Sequence, residues 1–437
     1  MKLPKDFEAY FRNWWRPEDV EAMLRGLSAE PTVSIRINPK RIVPHAEPEG
    51  ADGHVPWCDE GRYLKARPAF TADPLLHTGA YYVQEASSMF LAHLVRSFVT
   101  ADVRYALDLC AAPGGKSTLL RSLLPEECLL VSNEPLHARA QVLAENIAKW
   151  AGGETGGAHT LVTRAYAADI TQALRGKHFF DVVLADVPCS GEGMMRKEEE
   201  AVRQWSHAFV SRCAALQRSI IEDIWPALSP GGLLIYSTCT FNPEEDEENV
   251  DWIARELGAD LLPIPTDASW GIRGDLRAAA ATGKVDALPV AHFLPGEIRG
   301  EGFFCAALRK HGNKDGESEG RKAGKEKKGK KNKEPQSLRE SISSALTVLP
   351  TDLLDEPSVP RVELTAEEAI SYLQRESLVL PPSAPRGHVQ VCYQGQRLGL
   401  VNNLGSRANN LYPKEWRIRS GHISPHCLFE APDLANS

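Results

Sequence analysis

Two cysteines stand just beyond hydrophobic runs that are typical of β-strands, and their thiols are the groups best suited to chemistry. Cys189 follows the run Phe179–Leu184, and Cys239 follows the run Gly232–Tyr236. If the two runs are neighbouring parallel strands, both thiols lie at the carboxyl edge of an open α/β sheet, where ligands bind. Because a thiolate is well suited to attack a poorly electrophilic ring, the pair predicts a cysteine nucleophile beside a ligand site.

A turn of small residues upstream of these cysteines leads from a predicted strand, Tyr105–Cys110, into a predicted helix. Backbone N–H groups and the positive end of that helix would face an anion, which suits the carboxylate of S-adenosylmethionine. The turn therefore predicts a site for this cofactor. Its predicted residues are Ala111, Ala112, Pro113, Gly114, Gly115 and Lys116.

Three acidic residues follow the second, third and fourth predicted strands. Glu134 is placed to accept both ribose hydroxyls of the cofactor. Asp169 would reach the adenine amino group, although an aspartate at this point is also a plausible helix cap. Asp186 would hydrogen-bond nitrogen 3 of a cytosine while a thiolate adds to carbon 6, which turns carbon 5 into a carbon able to attack a methyl group. The motifs thus favour methylation of cytosine at carbon 5.

Two other functions remain open from the residues. The string GGKS resembles the end of a phosphate-binding loop of an ATPase, but that loop needs a glycine where this chain has Cys110. A non-catalytic RNA-binding or ribosome-assembly factor could keep the same fold without the reaction. The presence of both Cys189 and Cys239 argues against that second alternative.

Composition bounds the class of protein. The 437 residues carry 50 basic and 58 acidic side chains, a net charge of −8, so no global basic field indicates a nucleic-acid partner. Nine cysteines without C-x-x-C spacing indicate neither a metal site nor a disulfide framework. No apolar signal core or membrane-length run is present, so we expect a cytoplasmic protein with no membrane partner.

The chain is expected to contain several domains. Strand and helix signals alternate over residues 96–310, which predicts a doubly wound Rossmann-like α/β sheet. Residues 1–95 suggest a small α+β domain, and 311–336 a disordered basic linker or a tether that grips phosphates. Residues 337–385 suggest a small intermediate domain. Residues 386–437 suggest a β-rich domain, because the run His388–Asn403 alternates around a Gly-containing turn as a β-hairpin does.

The strings LDLCAAPGGKST, DVPCSGEGMMRK and STCTFNPEEDEENV resemble the Sun/nucleolar-protein family of RNA cytosine-5 methyltransferases. Within that family the RsmF branch is the most similar, through RPAFTADPLLHTGAYYVQEASSMF near the N-terminus and GLVNNLGSRANNLYPKEWRI in the tail. The resemblance implies a PUA-like RNA-binding domain in the tail and an RNA-binding role for residues 1–95. The acids of NPEEDEEN are expected in the first turn of a helix, where its dipole favours them.

The resemblance also implies roles for individual residues. Cys239 would be the nucleophile, with Cys189 assisting release of the methylated product, while Asp186 contacts the target base. The segment Cys110–Lys116, Glu134, Asp169 and Asp186 would surround S-adenosyl-L-methionine. The implied partner is 16S ribosomal RNA, free or in the small subunit, and we expect a monomer. DNA as substrate stays conceivable, and by analogy Cys189 would then attack instead.

Overall fold

The computed structural model describes most of the chain, as three β-sheets with helices packed around them. The described residues are 3–43, 45–151, 159–175, 178–312, 338–351, 358–419, 421 and 423–430. The linker predicted at 311–336 therefore lies outside the described residues except for its first two positions. Among the described residues, no helix combines the length and the apolar character that a membrane span requires.

The N-terminal part contains a four-stranded antiparallel sheet in the order β2-β3-β1-β4. The strand expected around residues 32–38 is β1. The elements are α1 (Phe7–Arg12), α2 (Pro17–Leu27), β1 (Val33–Ile37), β2 (Ala51–His54), β3 (Gly61–Leu64), α3 (Pro74–His77) and β4 (Tyr81–Val83). The helix α4 (Leu91–Phe98) continues across the domain boundary predicted at residue 95. Its apolar face packs into the core of the central domain, so the whole helix belongs with that domain.

The central part is the expected doubly wound α/β domain. Its elements are β5 (Tyr105–Asp108), α5 (Gly115–Leu123), β6 (Leu129–Asn133), α6 (His137–Ala151), β7 (Thr160–Arg164), α7 (Ala167–Ala173), β8 (Phe180–Asp186), α8 (Glu199–Gln204), α9 (His207–Ile224), β9 (Leu228–Thr238), α10 (Glu247–Glu256), β10 (Ala259–Leu261), α11 (Ala278–Ala281), β11 (Ala291–Phe293) and β12 (Phe303–Lys310). Successive strand residues alternate between two cores. Val183 and Leu234 point into one, and Val182 and Leu233 into the other. Both faces of the sheet are therefore covered.

The strand order of this sheet is β10-β12-β9-β8-β5-β6-β7, with β11 also pairing with β12. The five strands from β9 to β7 are parallel, as alternation of strands and helices predicts. β12 runs antiparallel to β9 and so differs in direction from these five strands. The chain passes from β11 to β12 without an intervening α-helix, a connection that antiparallel neighbours allow and parallel ones do not.

The segment after the linker joins the opposite edge of the same sheet. α12 (Leu338–Ala345) buries Leu338 and Ile342 in the central core, and β13 (Thr347–Leu349) pairs antiparallel with β7. The structure therefore does not show residues 337–385 as one intermediate domain. The physical reason is that β7 leaves an unpaired strand edge, which a short apolar strand covers.

The C-terminal part forms a third sheet in the order β14-β15-β16-β17. Its elements are β14 (Arg361–Glu363), α13 (Ala366–Leu373), β15 (Gly387–Tyr393), β16 (Gln396–Asn403) and β17 (Ala408–Asn410). The expected hairpin is confirmed as β15 and β16, joined through Gln394 and Gly395, which both have positive φ. Two positive-φ residues are what a tight two-residue hairpin turn requires. β14 and α13 belong to this unit, so it begins before residue 386.

The C-terminal sheet packs directly against the N-terminal one. One buried cluster contains Ile35 and Tyr81 from the N-terminal sheet together with Tyr372 and Val391 from the C-terminal part. The Arg41 guanidinium donates a hydrogen bond to Gln396 across this contact at 2.9 Å. The two flanking parts therefore form a continuous body beside the central domain.

Candidate functional site

The two cysteines lie where the sequence predicts, at the carboxyl ends of neighbouring parallel strands. β8 and β9 pair in parallel up to the partners Asp186 and Ser237. Cys189 lies three residues after the end of β8, and Cys239 directly follows β9. The Sγ atoms of Cys189 and Cys239 are 3.0 Å apart, and both side chains are partly exposed. Residues 50 positions apart in the chain thus form a thiol pair in hydrogen-bond contact.

The contact between the thiols affects the pKa of Cys189. The hydrogen bond to Cys239, together with burial, raises the pKa of Cys189 well above its usual value. Cys189 therefore keeps its proton near neutral pH. A thiol that keeps its proton is a poor nucleophile, which argues against attack by Cys189.

Asp186 lies beside the thiol pair at the end of β8, and both of its oxygens have partners. Lys116 Nζ is 2.8 Å from Asp186 Oδ2, and Ser237 Oγ donates to Oδ1 at 2.7 Å. Burial lowers the pKa of Lys116, but the charge of Asp186 and its hydrogen bond outweigh burial and raise that pKa overall. A fixed carboxylate and a cation therefore stand next to the cysteines, where charge on a ring would develop.

The small-residue turn links β5 to α5 and is braced by α6. Gly114 has φ +116°, a conformation that side-chain-bearing residues rarely adopt. Asn146 Nδ2 donates to the carbonyl of Pro113 at 2.8 Å, and Arg139 donates to the carbonyl of Ala112 at 3.0 Å. The first backbone hydrogen bond of the helix runs from Thr118 N to Gly114 O, so earlier N–H groups have no acceptor inside the helix.

These features fit S-adenosylmethionine. Unpaired N–H groups at the start of a helix suit the cofactor's carboxylate, as anions bind there. Cys110 is the first residue of the segment Cys110–Lys116, and burial raises the pKa of its thiol well above the usual value. Cys110 therefore stays neutral and lines the turn without acting as a nucleophile.

Glu134 lies at the end of β6 as predicted and is almost fully buried. Its Oε1 accepts the N–H of Leu136 at 2.9 Å, and its Oε2 is 3.5 Å from Arg139 Nε. Arg139 thus links Glu134 to the small-residue turn. A carboxylate held at a strand end beside that turn is suited to accept hydrogen bonds from hydroxyl groups.

Asp169 is the third residue of α7 and has a local partner. Its carboxylate accepts the backbone N–H of Tyr166 at 3.2 Å, which caps the start of the helix. Asp169 also lines a cavity of about 760 Å³ together with Arg164 and residues of α12. The structure therefore shows the helix-cap role, and contact with adenine stays a prediction.

Sequence reasoning placed only some of the acids that follow Cys239 correctly. α10 begins at Glu247, so Glu245 and Asp246 precede the helix, and all three side chains are fully buried. Glu247 is an acid of the first helical turn, as expected, whereas Glu245 and Asp246 lie before it. Glu245 instead contacts the loop that carries Cys189, through the N–H of Ser190 at 3.0 Å. The signal that could have indicated burial is their position directly behind a loop that must pack against the other cysteine.

Glu192, three residues after Cys189, was also missed. It is fully buried and accepts the N–H groups of Phe241 and Asn242 at 3.0 and 3.1 Å. Burial raises the pKa of Glu192, and burial together with the charge of Glu192 raises the pKa of Glu245. In the part of the chain that the structure describes, no group of three or more His, Cys, Asp or Glu side chains is arranged to hold a metal ion.

Asp108 at the end of β5 gives the first testable prediction. Burial raises the pKa of Asp108 to about 7, and Ser117 Oγ donates to its Oδ2 at 2.6 Å. The pKa of an aspartate in an unfolded chain is ~3.9, so the folded protein binds this proton more tightly than the unfolded chain does. The free energy of unfolding should therefore fall as pH rises from about 4 to about 7, by on the order of a few kcal/mol.

The Asp108→Asn variant should reduce this fall and melt at a higher temperature than the wild type at pH 8, because asparagine carries no charge. Thermal unfolding at pH 5 and pH 8 measures the difference. Asp59→Asn is the matched control, since the Asp59 side chain is 85% exposed. An unchanged pH dependence in Asp108→Asn would contradict the raised pKa.

Comparison with known proteins identifies the family. The model of 16S rRNA methyltransferase RsmB/F matches residues 99–309, the N-terminal domain model of 16S rRNA methyltransferase RsmF matches residues 3–86, and the RsmF PUA domain model matches residues 359–418. The β14–β17 sheet lies within the PUA match. The three models together follow the three sheets of the structure.

Similar proteins agree with these matches. Ribosomal RNA small subunit methyltransferase F of Cronobacter sakazakii is 30% identical to this chain. The alignment covers 86% of this chain and 86% of the relative. Its namesake in Erwinia tasmaniensis is 28% identical and covers 84% of this chain and 85% of the relative. NSun6 from Pyrococcus horikoshii with SFG shares the fold, at 19% identity and a TM-score of 0.56 over 70% of this chain and 98% of that one.

The matched models span all three parts of the chain. The relative from Cronobacter sakazakii, at 30% identity, covers 86% of its length. The cofactor of this class is S-adenosyl-L-methionine, whose site the small-residue turn fits. The chain therefore belongs to the RsmB/F family of 16S rRNA methyltransferases, in its RsmF branch, and is an rRNA methyltransferase that uses S-adenosyl-L-methionine.

Proposed function

We propose that this protein methylates carbon 5 of cytidine in 16S ribosomal RNA through a covalent adduct with Cys239. The observation that carries the proposal is the 3.0 Å contact between the Sγ atoms of Cys189 and Cys239, beside the carboxylate of Asp186. Carbon 5 of cytosine is too weak a nucleophile to take a methyl group unaided. A thiol pair next to a fixed carboxylate supplies what activation of that carbon needs.

The first step forms a bond between the Cys239 sulfur and carbon 6 of the ring. The electron pair of the double bond between carbons 5 and 6 becomes available at carbon 5, and negative charge spreads to nitrogen 3. We assign Asp186 to nitrogen 3, where it shares a proton with the ring. Lys116, 2.8 Å from Asp186, adds positive charge close to the developing anion.

S-adenosyl-L-methionine, when bound, supplies an electrophilic methyl group to carbon 5. We assign Cys110–Lys116 and Glu134 to holding this cofactor, and Asp169 to its adenine end. A base then removes the proton from carbon 5, the double bond re-forms, and the bond between sulfur and carbon 6 breaks. We assign Cys189 to this last step, because its thiol proton can stabilise the departing sulfur of Cys239.

The direct test is incubation of the purified protein with tritium-labelled S-adenosyl-L-methionine and ribosomal RNA. We expect 5-methylcytidine in 16S RNA and none in 23S RNA, detected by nucleoside chromatography and bisulfite sequencing. Free 16S RNA and assembled small subunits, tested in parallel, identify which form is the substrate. Methyl groups found only on other atoms, or only in other RNA, would contradict the proposal.

A second prediction concerns Glu134. Glu134→Ala should weaken binding of the cofactor by roughly 1–3 kcal/mol, the cost of losing a hydrogen bond to a charged group. Isothermal titration calorimetry measures this affinity without RNA. Glu126→Ala is the control, since Glu126 is exposed and precedes the amino end of the same strand. Equal affinities for Glu134→Ala and the wild type would remove Glu134 from the cofactor site.

A further inference from the structure

Two loops carry the cysteines and lie against each other. The Cys189 loop (residues 187–195) follows β8, and the Cys239 loop (residues 239–246) follows β9. A backbone hydrogen bond joins them from Gly193 N to Cys239 O, and Val187 N donates to Ser237 O near the end of β9. Loops are ordinarily the more mobile parts of a fold, so a sulfur contact of 3.0 Å between two loops needs additional restraint.

Glu192 reaches from the Cys189 loop into the Cys239 loop. Its Oε2 accepts the N–H groups of Phe241 and Asn242, at 3.0 and 3.1 Å, and the hydroxyl of Thr240. Three donors from consecutive residues therefore converge on a single carboxylate oxygen. The three residues directly after Cys239 are held by an acid that belongs to the opposite loop.

Glu245 reaches in the reverse direction, from the Cys239 loop into the Cys189 loop. Its Oε2 accepts the N–H of Ser190 at 3.0 Å and the Nε2 of Gln217 at 2.7 Å. Gln217 Nε2 also lies 2.9 Å from the carbonyl of Pro188. The residues on both sides of Cys189 are thereby tied to Glu245.

Asn242 joins the two carboxyl groups. Its Nδ2 lies 3.0 Å from Glu192 Oε1 and 2.8 Å from Glu245 Oε1. Both glutamates are fully buried, and within the described residues neither forms an ion pair with a basic side chain. Burying such groups costs free energy unless hydrogen bonds compensate, and the donors here are supplied mainly by the two loops. The carboxyl groups are thus satisfied only while the loops keep this arrangement.

We propose that Glu192 and Glu245 form a reciprocal clasp whose role is to hold the thiols of Cys189 and Cys239 in contact. Each acid comes from one cysteine loop and binds the backbone of the other. Any separation of the loops breaks hydrogen bonds of both acids at once. The two glutamates are positioning residues, and their role in the reaction rests on the proposed function of the cysteine pair.

The distance between the thiols can be measured without RNA or cofactor. The full-length protein is equilibrated with reduced and oxidised glutathione, and the Cys189–Cys239 disulfide is quantified by alkylation and mass spectrometry. In this exchange one glutathione disulfide is reduced to two glutathione thiols while the protein dithiol becomes a disulfide. The equilibrium constant reports the effective concentration of one thiol at the other.

We expect Glu192→Gln and Glu245→Gln to lower this equilibrium constant by about tenfold or more. In each variant an amide nitrogen replaces one carboxylate oxygen and cannot accept the hydrogen bonds that this oxygen accepted. The same variants should lower kcat for methyl transfer and leave KM for RNA and the Kd of the cofactor unchanged. Glu244→Gln is the matched control. Glu244 is adjacent in the same loop but accepts hydrogen bonds from Tyr10 and Ser211, outside both cysteine loops.

Wild-type disulfide equilibria in both glutamine variants would overturn the clasp, as would a lower equilibrium constant with unchanged kcat. If a glutamine variant fails to fold, Thr240→Val removes one donor to Glu192 and should change both readouts in the same direction, by a smaller factor. Unchanged readouts in Thr240→Val would then overturn the clasp. Absence of cytidine methylation by the wild type would defeat the proposed function alone, since the disulfide equilibrium is read independently.

Discussion

Replacement of Cys239 by alanine is expected to abolish methyl transfer and to remove every covalent protein–RNA adduct. Alanine has no atom that can bond to carbon 6, so carbon 5 is never activated. Loss of a catalytic nucleophile commonly costs at least about 10⁴-fold in kcat. Transfer of labelled methyl groups, together with a denaturing gel of labelled RNA, measures both effects.

The control for the Cys239 variant is Cys305→Ala. Cys305 is buried on β12 and pairs with Ser237, two residues before the nucleophile. Its replacement removes the same side-chain volume as Cys239→Ala at a position close to the site. That control should retain methyl transfer. Cofactor affinity of Cys239→Ala should stay near the wild-type value, which separates a lost nucleophile from a damaged fold. Adduct formation by Cys239→Ala would assign the attack to another residue.

The Cys189→Ala variant should show the opposite gel result. Cys239 can still attack carbon 6, but the departing sulfur loses the neighbouring thiol of Cys189, whose Sγ atom lies 3.0 Å away. Release should then become slow, and turnover should fall by about 10²–10⁴-fold, the usual contribution of a positioned proton donor. A band of protein joined to RNA should accumulate on a denaturing gel.

The pair of variants tests the direction of the chemistry. A shifted band for Cys189→Ala and none for Cys239→Ala supports Cys239 as the nucleophile. The reverse pattern would assign the attack to Cys189, as considered for a DNA-type mechanism. The raised pKa of Cys189 argues for the first outcome, because a thiol that keeps its proton is a poor nucleophile.

Local sequence determined the parts of this protein that follow from periodicity and short motifs. Hydrophobic runs with intervening helical spacing predicted β5 to β9 and their parallel order. The order of strand, turn and acid predicted where Cys110–Lys116 and Glu134 lie. Each prediction worked because the carboxyl ends of parallel strands meet at one edge, so residues far apart in the chain converge there without further information.

Other features depend on partners that no local pattern names. β12 pairs antiparallel with β9, β10 and β11, and β13 joins β7 across a segment that the sequence indicates as a linker. The docking of the C-terminal sheet on the N-terminal one joins residues more than 300 positions apart. Strand direction and domain contact are set by such long-range pairs, which periodicity does not encode.

The clearest difference lies in the acids around the cysteines. By sequence alone, Glu245 is one acid in a charge run at a helix start, and Glu192 is an unremarked residue in a Gly-containing loop. In the tertiary structure both are buried, and each binds the loop of the other's cysteine. Types and spacing determined that two thiols would meet at a sheet edge. Only the packing of one loop on the other decided which buried groups hold them there, because burial depends on contacts between distant segments.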